Sequence, residues 1–231
     1  MKNKAKSFLA KQKIAVGVIV VVTVTIVVYF STLVLQESTI LGNFVEGEHY
    51  FLIENPRRVR GDQIEVIEFF SYACVHCYNF DPELEDWVEA KGESIKFIRM
   101  PAVANDSWRI LGRNYYTMEK LGLTEKYHMP FFREVHEVKR NFSTPGRLAD
   151  YFEGKGVPRE DYEKAFNSPE VSRNIYDADQ MARRLQVASV PTIVVHGKYT
   201  VNVTRLVGTS RMLEVMDHLI EKETAPKESG S

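Results

Sequence analysis

The sequence contains few cysteines: Cys74 and Cys77 are the only two in 231 residues. Two cysteines close at most one disulfide, which excludes a small fold held together by several bridges. Their C-x-x-C spacing leaves open a redox pair, one structural bridge or part of a zinc site. A bridge across so short a loop constrains the unfolded chain little, and a zinc site with His76 lacks the second ligand pair that usually completes it. We therefore favour a redox pair.

The sequence also has little net charge, −1 at pH 7, and this gives no reason to expect nucleic acid as a partner. Apolar residues make up 44% of the chain and charged residues 26%, as in ordinary globular proteins. The length suffices for one substantial core with additional elements. No internal repeat is visible.

Acidic residues are absent before Glu37, whereas lysines are frequent among residues 1–13. Residues 14–35 carry no charge, and as a helix they would span roughly 30 Å, the thickness of a bilayer's hydrocarbon core. The run is long for a signal peptide and ends in a poor cleavage site, so we predict an uncleaved signal anchor. The lysines predict a cytoplasmic N-terminus and a single-pass protein of the cell inner membrane, with its main domain in the periplasm, where disulfides persist.

The two cysteines lie between a predicted strand and a predicted helix. Residues 63–70 are mostly apolar, as in a buried central strand, and 74–90 carry apolar residues at helical spacing. Residues 94–100 predict a second strand. The three elements therefore form a β-α-β unit with parallel strands and a right-handed crossover. Within the first strand, Glu65 is expected on an exposed face.

The second half of the chain predicts a helical insertion followed by a hairpin. No strand pattern is visible across 104–185, and helix start signals recur there, such as Ser168 followed by Pro169. Strand character returns across 192–203 as a hairpin. Residues 210–223 predict a terminal helix.

This order of elements is that of a thioredoxin fold with an inserted helical domain. Three segments make the match specific. Residues 68–78, EFFSYACVHCY, resemble the active-site stretch of the DsbA family of thiol-disulfide oxidoreductases; 189–192, SVPT, resemble its cis-proline loop; and 197–199, GKY, resemble the hairpin that follows. Val75 departs from the family, whose members most often carry proline after the first cysteine, and we expect it to tune the redox potential.

The resemblance implies an α/β fold class, a thioredoxin fold with an inserted helical domain, preceded here by one N-terminal transmembrane helix. The predicted organisation is a cytoplasmic basic segment at 1–13, a transmembrane signal anchor at 14–35, a linker at 36–48, a DsbA-like thioredoxin domain at 49–223 with its insertion at about 104–185, and a disordered tail at 224–231.

Within this resemblance, Cys74 is the candidate nucleophile. It falls at the start of a helix, where free N–H groups and the macrodipole stabilise an anion and lower the thiol pKa. A stable thiolate favours the reduced form, which makes the disulfide a stronger oxidant. Cys77 is expected to be more buried and to act as the resolving thiol. His76 is expected to stabilise the thiolate; the alternative is a solvent-facing histidine without an electrostatic role.

Three further residues are assigned to the site by the resemblance. Glu68 would lie beneath the resolving cysteine and carry its proton; the alternative is an edge-facing glutamate paired with lysine. Pro191 would follow a cis peptide bond, the alternative being a trans proline that opens a strand. The backbone of Val190 would then pair with an extended substrate.

The predicted function is that of a thiol-disulfide oxidoreductase that introduces disulfides into unfolded exported proteins through the Cys74–Cys77 pair. Expected partners are cysteine-containing unfolded polypeptides and, as the family implies, a quinone-linked membrane oxidase of the DsbB type. No cofactor or metal is expected. The alternatives are a reductase or isomerase kept reduced by another membrane partner, and a non-catalytic peptide-binding module of the same fold. Other histidines, including His128 and His136, are expected at the surface.

Overall fold

The computed structural model describes residues 21–31 and 44–225. The chain divides into two units, Met1–Asn43 and Phe44–Ser231. The predicted basic segment at 1–13, most of the predicted linker at 36–48 and most of the predicted tail at 224–231 lie outside the described residues.

Of the predicted membrane anchor at 14–35, the structure describes residues 21–31, which are helical; the others lie outside the described residues. Across 21–31 and 44–225, no helix is both long and apolar enough to cross a membrane. The predicted location, a single-pass protein of the cell inner membrane, is therefore wrong, and the transmembrane helix of the predicted fold class is not supported. The prediction rested on an uncharged composition, which does not by itself establish a helix of spanning length.

The second unit is built on a mixed β-sheet. Its strands are β1 (Phe51–Leu52), β2 (Ile64–Phe70), β3 (Ile95–Pro101), β4 (Thr192–Val195) and β5 (Tyr199–Asn202). Their order across the five-stranded sheet is β1-β5-β4-β2-β3. β2 pairs in parallel with β3 and antiparallel with β4, so the strand that leads to the cysteines lies inside the sheet. All of its residues are buried.

Helices cover the sheet and form the insertion. They are α1 (Val75–Lys91), α2 (Asp106–Lys120), α3 (Thr124–His136), α4 (Pro145–Glu153), α5 (Arg159–Phe166), α6 (Pro169–Arg184) and α7 (Thr209–Thr224), with a 3-10 turn at Gly92–Ser94. As predicted, Ser168 caps α6 by accepting a hydrogen bond from the Val171 N–H, and Pro169 follows it. The terminal helix begins slightly earlier than predicted, at Thr209, with Gly208 at its N-cap.

The thioredoxin fold with a helical insertion is confirmed, since β2, α1 and β3 form the expected parallel unit and α2 to α6 lie between β3 and β4. Side chains alternate along β2. Val66 packs with residues of α1 and α7, whereas Ile67 and Phe69 pack with Leu185. A third, largely aromatic core fills the insertion and reaches Cys77. The cysteine pair therefore lies where the insertion meets the sheet.

Glu65 departs from its expected exposed position. Its side chain is buried and forms an ion pair with Arg57, from the loop before β2. An interior strand covered on both faces has no solvent-facing side, and so alternation along β2 cannot expose it. The glutamate is accommodated because a cation packs against it.

Gly112 allows three elements to pack closely at the base of the insertion. A Cβ at this position of α2 would lie 2.7 Å from Ile175 Cδ1 and 3.0 Å from Pro101 Cβ. We expect Gly112→Val to lower the free energy of unfolding by about 2 kcal/mol because the added branches overpack this contact. Urea unfolding measures the change. The matched control is Gly146→Val in α4, where a Cβ would meet only Arg159 Nη2, at 3.7 Å. Equal losses in both variants would contradict the packing explanation, because Gly146 has no comparably close neighbour.

Candidate active site

Cys74 lies in the turn that joins β2 to α1. Its backbone is extended, with φ −94° and ψ 114°, so it occupies the N-cap and the helix begins at Val75. The turn is held by the Cys74 N–H, which donates to the Ser71 carbonyl at 2.9 Å. The Cys77 N–H in turn donates to Cys74 Sγ at 3.4 Å. The local sequence therefore places a sulfur atom at the open N–H groups of a helix start.

This environment lowers the pKa of the Cys74 thiol to about 6. The largest cause is the hydrogen bond with the Cys77 side chain; the backbone N–H groups of Cys77 and His76 add to it, and burial opposes it. The charge of His76 makes a smaller contribution from an exposed side chain. Cys74 itself is half-buried. It is therefore an accessible thiol that ionises near neutral pH.

Cys77 has the opposite character. It is fully buried, and burial raises its pKa far above that of an ordinary thiol. Its contact with Cys74 and the negative charge of Glu68 reinforce the shift. Both cysteines are free thiols here, so the structure describes the reduced pair. Of the two, only Cys74 is suited to attack a disulfide as a thiolate.

The predicted proline loop meets the cysteine pair. The Val190–Pro191 peptide bond is cis, as the sequence predicted. Immediately before it, the Val190 carbonyl lies 3.4 Å from Cys74 Sγ and accepts a hydrogen bond from the thiol, although the two residues are 116 positions apart. A cavity of about 360 Å³ adjoins this loop, and its lining includes Val190, Trp108 and Ala182. The proline loop therefore contacts the Cys74 sulfur and also lines an adjoining cavity.

Glu68 is buried within β2, with only 1% of its surface exposed. Its partner is Arg99 on the neighbouring β3, whose Nε lies 2.9 Å from Glu68 Oε2, rather than the lysine of the edge-facing alternative. Burial raises the pKa of Glu68 to about 7, against the opposing charge of Arg99. The carboxyl is therefore able to take up and release a proton at neutral pH, next to the Cys77 whose pKa its charge raises.

Two acidic residues of α1 share Arg99 with Glu68. Arg99 Nη2 lies 3.1 Å from Asp81 Oδ1, and Nη1 lies 2.6 Å from Glu85 Oε1. Asp81 is buried, whereas the side chain of Glu85 is half exposed. Sequence analysis did not find these residues. The signals were present, since Asp81 follows Cys77 by one helical turn and Arg99 lies opposite Glu68 in the parallel register of β2 and β3.

His128 of α3 completes this buried polar cluster. Its Nε2 lies 3.0 Å from Asp81 Oδ1, and its Nδ1 lies 2.7 Å from the hydroxyl of Tyr72, two residues before Cys74. The expectation that His128 lies at the surface is wrong, because only 5% of it is exposed. His136 is partly buried, and its Nε2 donates to the Tyr72 carbonyl at 2.8 Å. No sequence signal connects these histidines to the cysteines, since packing of α3 alone brings them together.

The site offers two thiols and one buried carboxyl that exchanges a proton near neutral pH. Within residues 21–31 and 44–225, no group of three or more His, Cys, Asp or Glu side chains is placed to hold a metal ion. An acidic thiol at a helix start, a buried partner thiol and a carboxyl beneath them define a site for thiol–disulfide exchange on a thioredoxin fold.

Comparison with known proteins identifies the family. Residues 94–220 match the DSBA-like thioredoxin domain. The thiol:disulfide interchange protein DsbA of Pseudomonas aeruginosa is 34% identical over 184 residues, which cover 79% of this chain and 87% of that protein. The DsbA of Azotobacter vinelandii is 34% identical over 161 residues, covering 70% of this chain and 75% of that one.

Solved structures agree with this assignment. The crystal structure of Pseudomonas aeruginosa DsbA superposes with a TM-score of 0.74 at 34% identity, covering 78% of this chain and 94% of that one. The oxidoreductase DsbA from Xylella fastidiosa gives a TM-score of 0.73 at 31% identity, covering 79% and 99%. The chain therefore belongs to the DsbA family of thiol:disulfide interchange proteins, and it is a thiol:disulfide oxidoreductase. The alternatives of a reductase, an isomerase or a non-catalytic module are not favoured.

Proposed function

We propose that this enzyme oxidises pairs of cysteine thiols in unfolded, exported polypeptides. A substrate thiolate attacks Cys74 Sγ of the oxidised enzyme, and the bond between Cys74 and Cys77 breaks as a mixed disulfide forms. A second substrate thiolate attacks the substrate sulfur, and Cys74 leaves as a thiolate. The substrate dithiol loses two electrons and two protons. The enzyme takes both electrons; Cys77 takes up one proton, and the other passes to solvent because Cys74 remains a thiolate at neutral pH.

The observation that carries this proposal is the opposite character of the two sulfurs. A Cys74 thiolate with a pKa of about 6 is a stable leaving group, so the second step favours release of the oxidised substrate. The same stability favours the reduced enzyme over its disulfide, which makes the enzyme an oxidant. Cys77 leaves first but is too basic to persist as an anion in its buried position. It therefore needs a proton donor within the fold.

Glu68 is the proposed donor. With a pKa of about 7, a substantial fraction of this carboxyl holds a proton at neutral pH. It gives the proton to Cys77 when the enzyme is reduced and takes it back when the enzyme is reoxidised. His76 assists Cys74 through its charge and its backbone N–H.

The polypeptide substrate is proposed to bind along the proline loop, within a catalytic domain that spans 49–223. The backbone of Val190 before cis-Pro191 would pair with the extended substrate on either side of its cysteine. The adjoining cavity would then receive a neighbouring substrate side chain against Trp108 and Ala182. Such contacts select an unfolded chain, since a folded protein does not present its backbone in this way.

A second protein has to reoxidise the dithiol, because the enzyme is left with two extra electrons after each cycle. We propose a quinone-linked membrane oxidase of the DsbB type as this partner. Its disulfide would accept the electrons through the same Cys74 thiolate, and Cys77 would then resolve the mixed disulfide.

Titration of the reduced enzyme tests the proposal. We expect the thiolate absorbance near 240 nm to rise with a midpoint close to pH 6, because the environment of Cys74 lowers its pKa to about 6. Because this folded-state pKa is depressed, the thiolate stabilises the folded, reduced enzyme above the pKa of an unfolded thiol, and that stability is lost as pH falls through about 6. At pH 7, equilibration with glutathione should accordingly leave the enzyme largely reduced at ratios where an unperturbed dithiol is oxidised.

A Cys74→Ser control should remove the absorbance change between pH 5 and 8, since Cys77 does not ionise in that range. A midpoint near that of a free thiol, together with a strongly reducing equilibrium with glutathione, would favour a reductase instead.

A further inference from the structure

Two buried carboxyls compete for one guanidinium beneath the cysteine pair. Glu68 on β2 and Asp81 on α1 both contact Arg99, and both side chains are at least 98% buried. Two carboxyls in such a position titrate as a coupled pair, so their surroundings decide which of them holds the exchangeable proton. Arg99 does not settle this, because it contacts each of them at about 3 Å.

His128 breaks the symmetry. His128 forms a hydrogen bond with Asp81, whereas the hydrogen bond of Glu68 is to Arg99. Asp81 accepts a hydrogen bond from His128 Nε2 and therefore fixes the proton of the neutral ring on that nitrogen. Nδ1 is then the acceptor for the Tyr72 hydroxyl at 2.7 Å. Asp81 thus receives donors from both Arg99 and His128, whereas Glu68 receives its donor from Arg99.

We propose that His128 is a positioning residue for the exchange reaction: its hydrogen bond keeps Asp81 ionised, so that Glu68 is the carboxyl that exchanges a proton with Cys77. This inference rests on the proposed role of Glu68 and extends it to a third helix. It assigns a reaction-related task to a side chain that does not touch the sulfurs.

The charges around the two carboxyls agree with this division. The contact with His128 lowers the pKa of Asp81 against the effect of burial, and the ionised Asp81 in turn raises the pKa of Glu68. Burial lowers the pKa of His128, which keeps its ring neutral. Without the His128 donor, burial would raise the pKa of Asp81. Asp81 would then take the shared proton and leave Glu68 as the permanently charged partner of Arg99.

The ionisable groups around Glu68 come from several elements, and they affect the pKa of Glu68 directly or through Arg99 and Asp81. Arg99 faces it from β3, and the groups on α1 are Cys77, Asp81 and Glu85. Two further groups act at one remove. The charge of Tyr115 on α2 raises the pKa of Arg99, and His128 on α3 lowers the pKa of Asp81. Among these groups, His128 is the one that distinguishes the two carboxyls by a direct hydrogen bond to one of them.

The test follows the step in which Cys77 loses its proton. Reduced full-length enzyme is mixed with glutathione disulfide between pH 5 and 9, and conversion of the glutathionylated Cys74 to the Cys74–Cys77 disulfide is followed by acid quenching and mass analysis. In the parent enzyme the rate should rise with a midpoint near pH 7, where Glu68 becomes a base. In His128→Leu the midpoint should fall by about one unit, since Glu68 no longer has an ionised carboxyl beside it.

Two variants separate this effect from general damage. His128→Gln keeps an amide donor for Asp81 and should restore the parent midpoint. Tyr72→Phe removes the other hydrogen bond of the ring and should leave the midpoint unchanged. The thiolate titration of Cys74 should stay near pH 6 in all three. An unchanged midpoint in His128→Leu, or the same displacement in Tyr72→Phe, would overturn the proposal.

One measurement needs no variant. Carbon-13 NMR of the side-chain carboxyls in the reduced parent enzyme should show Glu68 titrating near 7 and Asp81 remaining ionised well below that pH. The reverse assignment would overturn the role of His128 even if the enzyme still oxidises its substrates. The proposed function itself would be refuted by a different result, namely disulfide exchange that persists in a variant lacking Cys74.

Discussion

The Cys74→Ser variant is expected to lose disulfide exchange, with the rate of substrate oxidation falling by at least about 10³-fold to the uncatalysed level. A serine hydroxyl does not ionise near neutral pH and forms no disulfide, so neither the attack nor the mixed disulfide is available. The measurement is oxidation of a reduced, unfolded peptide with two cysteines by the oxidised enzyme. The half-buried Cys74 tolerates the smaller oxygen, so the fold should persist.

Cys77→Ser is the matched control because it removes the other sulfur of the same pair. Its Cys74 thiolate should still react with glutathione disulfide, and the mixed disulfide should accumulate since no resolving thiol follows. Mass analysis distinguishes the two variants directly. Substrate oxidation by Cys74→Ser, or a stable mixed disulfide on Cys77 in that variant, would refute the assignment of Cys74 as the nucleophile.

The second large effect is expected at Arg99. Replacing it by leucine leaves Glu68 and Asp81 buried without their shared cation, which should lower the free energy of unfolding by about 3–5 kcal/mol at pH 7. The cost arises because each carboxylate has given up water and keeps no opposite charge. Urea unfolding by circular dichroism, with both proteins in the reduced state, gives the difference.

The pH dependence of this loss has a definite sign. Without Arg99 the pKa of Glu68 rises further above its unfolded value, near 4, so the folded variant binds more protons than the unfolded chain. Its stability is therefore greatest in acid and falls as pH rises from about 4 through the raised folded-state pKa. The parent enzyme should lose less stability over this pH range. Arg99 limits the rise in the pKa of Glu68 to about 7, and Asp81 stays ionised.

Arg140→Leu is the control for loss of an arginine ion pair. Arg140 pairs with Glu134 at 2.8 Å from a half-exposed position, so its removal should change the free energy of unfolding by no more than about 1 kcal/mol. A similar loss in both variants, or an Arg99→Leu variant whose deficit does not grow with pH, would contradict the buried-charge explanation.

Much of the fold followed from local patterns. The apolar run before the cysteines, the helical spacing after them and the start signals of the insertion each predicted an element that the structure contains, because such signals depend on neighbouring residues. The resemblance at residues 68–78 and 189–192 predicted which residues would meet. The uncharged composition of 14–35 predicted a membrane span that the described residues do not support.

The sequence by itself determined the chemistry of the cysteine pair, since Cys74 and Cys77 occupy a strand-to-helix turn whose N–H groups lie within four residues of the sulfur. Only the tertiary structure decided what lies beneath that pair. Arg99, Asp81 and His128 come from a strand and two helices, and packing alone brings them to Glu68. Burial and charge act through space, so the pKa of Glu68 depends on residues that no spacing along the chain connects to it.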